Sequence, residues 1–275
     1  MRTAPEHRSP SAAAAWPVYL VGAGPGDPEL LTLKAVGVLR QATVALVDDL
    51  VNPGCLRHLA DACRVVSVGK RGGCASTPQA FIERLLVAEA LRGERVVRLK
   101  GGDPLVFGRA GEEIAALRAA GIAVEVVPGI TAGVAAAASA GVSLTHRNHA
   151  PGVAFVTGHR QPGGEAPRWD VLAQSGLTLV VYMGMAEAHN IRSGLLAGGL
   201  AGDTPVLLVH AASSAGERRV ATRLCDLQTA IAAEHLGSPC VMIIGDAMMQ
   251  VLQDWTPVET PAGVQSATGA LGKAA

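Results

Sequence analysis

Short apolar runs recur along this chain, separated by glycine turns and stretches of helical periodicity. Val18–Val21, Val44–Val47, Val65–Val68, Val96–Leu99 and Val124–Val127 are short and rich in β-branched residues, so they read as strands covered on both faces. A second series follows at Ala154–Thr157, Leu179–Tyr182, Val206–Val209 and Val241–Ile244. Helical patterns fill intervals at 78–92, 111–120, 132–140, 186–197 and 224–235. Strands alternating with helices predict an α/β protein with mostly parallel sheets. Pro128-Gly129 breaks the pattern, and the halves on either side are too unlike to be a repeat. The expected division is an N-terminal α/β domain at 16–128 and a C-terminal α/β domain at 129–256. Disordered tails are expected at 1–15 and 257–275, where small residues and proline dominate.

The first strand runs into a glycine turn, Val18-Tyr-Leu-Val-Gly-Ala-Gly-Pro-Gly-Asp27, after which the chain restarts as a helix. Asp27 suits the cap, Pro28 the first helical position and Glu29 the positive end of the dipole. Such a unit brings bare backbone N–H groups to a small ligand. A dinucleotide fits it badly. The G-x-G-x-x-G fingerprint wants a third glycine where Asp27 stands, and Pro25 has no N–H for a pyrophosphate. Asp48 and Asp49 do end the next strand at the spacing of a ribose-binding acid, so a dinucleotide-dependent reductase remains the contrasting reading.

Composition narrows the field. The 275 residues allow two modest α/β domains or one large one. Lys plus Arg and Asp plus Glu are both 23, so no global field draws in nucleic acid or an anionic membrane. A polyanionic substrate would have to be met by a local group of arginines. The 5 cysteines are odd in number and form no C-x-x-C, which argues for reduced thiols and a cytoplasmic setting. No stretch reaches the roughly 18 apolar residues of a membrane span. The early alanine run is short, lacks leucine and precedes Pro17, making a poor signal peptide. His146-x-x-His149 is the only close histidine pair; with Arg147 between them, no metal is expected.

Chemistry gathers at four strand ends. The first is the turn 22–27. The second is Arg98-Leu-Lys-Gly-Gly-Asp-Pro-Leu-Val-Phe-Gly-Arg109, whose glycines admit close approach of a ligand to the backbone. The third is Val127-Pro-Gly-Ile-Thr-Ala132, with Thr131 placed to cap the next helix. The fourth is Leu179-Val-Val-Tyr-Met-Gly-Met185. Taken singly, each reads as a plain turn or as core. Together they fall at the carboxyl ends of strands, where open α/β sheets collect their ligands.

These stretches, with VGKRGG from Val68, SLTHRNHA from Ser143 and VTGHR from Val156, resemble the tetrapyrrole (class III) methyltransferases that use S-adenosylmethionine. The likeness runs from about Val18 to Asp246. LTHR followed by VTGH, together with YMG, points to the members that methylate uroporphyrinogen III. The resemblance implies two α/β domains with cofactor and substrate in the cleft between them, usually as a homodimer. It implies transfer of two methyl groups to give precorrin-2, on the way to sirohaem or cobalamin. A sibling acting on a later corrin precursor is the nearer alternative.

The same resemblance assigns residues. Pro25, Gly101, Gly102, Asp103, Val106, Thr131, Ala132, Met183 and Ala212 fall on cofactor-binding positions. Asp48 matches the proton acceptor and Lys70 the proton donor. Two positions depart from the family: Ala212 replaces a common glycine, and Asp49 sets a second negative charge beside Asp48. Attack of an electron-rich pyrrole carbon on a sulfonium methyl needs alignment and removal of a proton, with no metal or covalent intermediate. The substrate's carboxylate arms would fall to Arg71, Arg98, Arg109, Arg147 and Arg160.

Overall fold

The structure is a computed structural model and describes residues 16–69, 77–159 and 164–249. The first five apolar runs become β1 (Val18–Gly22), β2 (Val44–Val47), β3 (Arg64–Ser67), β4 (Val96–Lys100) and β5 (Val124–Val127). They form one parallel sheet in the order β3-β2-β4-β1-β5. Three helices cover it: α1 (Leu33–Leu39), α2 (Gln79–Leu91) and α3 (Ala110–Ala119). Side chains alternate across the strands. Val21, Val47 and Leu99 pack with Ala35 and Leu39 of α1, whereas Leu20, Leu46 and Val96 pack with Leu86 of α2 and Leu117 of α3. Burial on both faces is why β1, β2 and β4 are largely apolar runs, whereas the edge strand β3 is mostly exposed.

Asp27 caps less than the sequence suggests. It accepts from Glu29 N–H at 2.8 Å, but the turn it starts, Pro28–Leu30, ends at once. Thr32 provides the cap of α1, its hydroxyl accepting from Ala35 N–H at 3.1 Å.

The second sheet differs from the expectation of mostly parallel strands. Its order is β6-β7-β10-β8-β9, from β6 (Val153–Thr157), β7 (Thr178–Tyr182), β8 (Pro205–His210), β9 (Arg218–Arg223) and β10 (Cys240–Ile244). Only β6 and β7 pair in parallel; β10 is antiparallel to β7 and β8, and β9 to β8. The link 211–217 is too short for a crossover, so β9 returns as a hairpin partner. Helix α4 (Ala132–Ser139) lies on one face, with Ala136 and Ala137 against Val180, Leu207 and Ile243. On the other, α5 (Trp169–Ala173), α6 (Ala188–Ala197) and α7 (Leu227–Ala233) enclose Leu179, Val181, Leu208 and Met242. Because β7 and β8 both oppose β10, they point the same way, and their carboxyl ends share an edge with that of β6.

Candidate functional site

The four strand-end loops come together. Gly24 and Gly102 exchange backbone hydrogen bonds, Gly24 N–H to Gly102 O at 3.2 Å and Gly102 N–H to Gly24 O at 2.7 Å. Gly22 and Gly129 are pressed onto this bridge. A Cβ on Gly22 would stand 2.5 Å from Gly129 N and 2.6 Å from Gly102 O; one on Gly129 would stand 2.3 Å from Gly102 O. Backbone surrounds both positions, so only glycine fits. Asp103 locks the assembly: Oδ2 accepts from Gly129 N–H at 3.0 Å and Oδ1 from Leu105 N–H at 2.8 Å. A carboxylate offers about four acceptor positions, so two remain for a ligand.

The second sheet meets this cluster from the other side. A Cβ on Gly26 would lie 2.9 Å from Ala212 O. Ala212 is buried among Val209, Ile243 and Met248, so the methyl that replaces the family's glycine packs into the core. Tyr182 stacks on Phe107 with ring centroids 5.0 Å apart. Its hydroxyl oxygen accepts from Gly133 N–H at 2.7 Å and shares a 2.7 Å bond with Thr131 Oγ1. Thr131 thus sits at the cap position of α4 without capping it. The phenol of a neighbouring strand does so instead. Burial raises the Tyr182 phenol above its ordinary value, and the hydrogen bonds from Thr131 and Gly133 oppose the rise. All non-glycine residues with positive φ in the described residues lie in these loops except His235: Phe107, Arg109, Met183, Ala211 and Ser213. Such conformations concentrate where a ligand is held.

Asp48, half-buried at the end of β2, is gripped by Arg98, which donates through Nη2. Arg98 itself is 2% exposed. Its Nε reaches Glu113 at 3.0 Å, and Nη1 points at the carbonyls of Leu99 and Leu46 at 3.2 and 3.4 Å. The expectation that Arg98 meets a substrate arm is therefore revised: every nitrogen already has an acceptor inside the protein. Lys100 is also buried, with Nζ at 3.1 and 3.2 Å from the Glu113 oxygens. Burial pulls the Lys100 ammonium below its ordinary value, Arg98 adds to this, and Glu113 and Asp48 resist it. Asp49 is exposed, and Gly69 packs directly on its backbone.

Arg109 is exposed and forks onto Glu112, Nε to Oε1 at 2.9 Å and Nη2 to Oε2 at 2.7 Å. Arg147 stands apart from these contacts, in the turn closed by His146 and Ala150 that leads into β6. It is exposed and pairs with no carboxylate among the described residues. Lys70, Arg71 and Arg160 lie outside the described residues. His146 and His149 stack at 4.6 Å, and no group of three candidate metal ligands occurs among the described residues. No helix among them is long and apolar enough to cross a membrane.

The cluster suits a nucleoside-bearing sulfonium cofactor. Leu105, Phe107 and Met183 are 63%, 40% and 49% exposed, apolar side chains presented by the loops after β4 and β7, the first of which carries Asp103. Pro25 and Val106 are half-buried in the same turns, and Gly101 and Ala132 flank the glycine bridge. Sequence reasoning missed Tyr182, Phe107 and Glu113 as parts of the site. Glu113 had a signal: it shares the helix face of Ala110 and Leu117, the buried face of α3.

The sequence model of the family described as Tetrapyrrole (Corrin/Porphyrin) Methylases matches residues 17–228. A Pseudomonas aeruginosa protein named uroporphyrinogen-III C-methyltransferase is 52% identical over 86% of this chain and 95% of its own length. Siroheme synthase 2 of Aeromonas hydrophila is 47% identical over 84% of this chain, which spans 49% of that longer protein. The Thermus thermophilus uroporphyrin-III C-methyl transferase solved with S-adenyl homocysteine superposes with a TM-score of 0.72 and 43% identity, covering 84% of this chain and 93% of that one. With the glycine bridge, the Asp103 lock and the parallel first sheet already in place, the match along most of the described chain decides the matter: this protein belongs to the tetrapyrrole methylases.

Proposed function

We propose that this chain transfers two methyl groups from S-adenosylmethionine to uroporphyrinogen III, giving precorrin-2. The observation that carries the reading is the 52% identity to the Pseudomonas aeruginosa enzyme across 95% of its length. The geometry agrees, because an apolar wall and open carboxylate acceptors stand together at the strand ends. The bound cofactor supplies an electrophilic methyl group on sulfur. The chain's part is alignment and proton handling. Pro25, Gly101, Gly102, Asp103, Val106, Thr131, Ala132, Met183 and Ala212 hold the cofactor in this reading. Asp48, fixed through one oxygen by Arg98, uses the other to take the proton that the macrocycle releases from a different position once the already substituted ring carbon has gained its methyl. Lys70 is the proton donor that the family resemblance implies. Arg71, Arg109, Arg147 and Arg160 receive the carboxylate arms.

We also read the chain as two domains divided at 128/129. Support comes from α4, which follows that boundary and packs on the second sheet. Cytoplasmic location is supported by the cysteine pattern, and a homodimer rests on the family resemblance alone. Incubating the protein with uroporphyrinogen III and methyl-labelled cofactor tests the reaction. A product carrying two labelled methyl groups, heavier by two CH2 units before the label is counted, is expected. Label entering only a later corrin precursor would transfer the assignment to a sibling activity.

A further inference from the structure

Among the charged side chains of the described residues, Glu113 is the most deeply enclosed, at 0% exposure, and nothing in the reaction above uses it. It projects from the first turn of α3 into the space beneath β4. There it accepts from Arg98 Nε at 3.0 Å, from Lys100 Nζ at 3.1 and 3.2 Å, and from Gln79 Nε2 at 3.4 Å. Arg98 in turn holds Asp48, and Lys100 directly precedes the Gly101-Gly102 turn, its carbonyl accepting from Ala23 N–H at 2.7 Å. The side chains form an unbroken line, Asp48–Arg98–Glu113–Lys100, alternating in charge. A carboxyl group this deep carries a desolvation cost that its cationic partners offset only in part, so its retention calls for a role.

We infer that Glu113 is a positioning residue for methyl transfer: it orients the Arg98 guanidinium, and through it fixes which oxygen of Asp48 faces the substrate. The inference rests on the reading of Asp48 as proton acceptor. A guanidinium is a rigid planar fork, so fixing its Nε edge fixes where its Nη2 points. The Leu46 and Leu99 carbonyls alone engage only Nη1 and leave the plane free to tilt. Lys100 supplies a second cation against the buried Glu113 carboxyl group. If Arg98 were merely filling the core, a neutral partner at 113 would serve it equally.

A double-mutant cycle on the full chain separates these roles. The variants are Asp48→Asn, Glu113→Gln and the two combined, read by single-turnover methyl transfer, by KM for each substrate and by calorimetry with S-adenosylhomocysteine. Glu113→Gln should slow the methyl-transfer step at least about tenfold. Both KM values and the S-adenosylhomocysteine affinity should stay within about twofold. In the Asp48→Asn background the same change should cost nothing further, because Glu113 acts only through Asp48. If Glu113→Gln does not fold, Glu113→Asp keeps the charge, withdraws the reach to Nε, and enters the same cycle. Wild-type rates in Asp48→Asn would sink the proton-acceptor reading itself. A slow Asp48→Asn beside a full-rate Glu113 variant, additive losses, or weakened S-adenosylhomocysteine binding would overturn the positioning role and leave Asp48 standing.

Discussion

Gly129→Ala is the sharpest perturbation of the site. The added methyl would stand 2.3 Å from Gly102 O and 2.8 Å from the Cα of Gly22, with backbone on both sides and no flexible side chain to yield. Inserting a methyl into packed structure costs about 1–3 kcal/mol. Moving the loop aside also breaks the 3.0 Å bond from Gly129 N–H to Asp103, a hydrogen bond to a charged group worth about 1.5–3 kcal/mol. Together these predict a loss of about 2.5–6 kcal/mol. For a chain of this size that lowers the melting temperature by about 5–24 °C. Binding suffers too, because Asp103 no longer holds its open acceptors at a fixed angle; S-adenosylhomocysteine affinity should fall at least about tenfold, or 1.4 kcal/mol. Gly37→Ala is the matched control. It lies inside α1 with nothing within 4 Å of its added Cβ, and should stabilise by about 0.5–1 kcal/mol. Urea melts and calorimetry on both variants decide the point. A Gly129→Ala protein that melts and binds like wild type would refute the three-loop contact.

Further outcomes follow from other parts of the site. Tyr182→Phe keeps the stack on Phe107 but strips Gly133 N–H of its acceptor; it should cost about 1–3 kcal/mol and weaken S-adenosylhomocysteine binding, measured by thermal shift with and without ligand. Arg147→Ala should raise KM for uroporphyrinogen III about tenfold or more without changing cofactor affinity, because on the proposed reaction its guanidinium, exposed and paired with no carboxylate among the described residues, meets a carboxylate arm. An unchanged KM would remove Arg147 from the substrate site. Burial pushes the Cys240 thiol from an ordinary 9.0 up to about 12. The unfolded chain therefore sheds this proton first as pH rises. The contribution is whole below about pH 9 and declines toward pH 12, by up to about 1.4 kcal/mol per pH unit. Cys240→Ala should flatten that alkaline slope in urea melts, and exposed Cys225 should react with a disulfide reagent long before Cys240. Labelling of Cys240 at the rate of Cys225 would contradict its burial.

β1, β2 and β4 were legible because both their faces are covered, which leaves an apolar run no polar pattern could hide, while β3 and β5 were legible from their valines alone. β9 was not, since Arg218–Arg223 is an edge strand with charged residues at both ends and little apolar signal. Its absence from the sequence reading also concealed the antiparallel half of the second sheet. The glycines announced flexible turns, but not that three of them from separate strand ends would press together; that depends on sheet order. Arg98 was misjudged for a readable reason. It falls between Val97 and Leu99 in a strand buried on both faces, so its own position argued for the interior. What the sequence could not supply was the partner that makes such burial tolerable. Glu113 sits fifteen positions away on α3 and is identified only once the helix is laid across β4.

The line of alternating charge beneath β4 also makes ionic strength a selective reagent for this protein. Mobile ions gather around charges that face water, and at physiological salt their influence fades over about 8 Å. Arg98, Lys100 and Glu113 are almost wholly withdrawn from that atmosphere, whereas Arg109 and Arg147 stand within it. On the proposed roles, adding sodium chloride should weaken the hold of Arg109 and Arg147 on the substrate's carboxylates while leaving the Arg98–Asp48 contact in place. A salt series can separate capture of substrate from chemistry without altering a single residue.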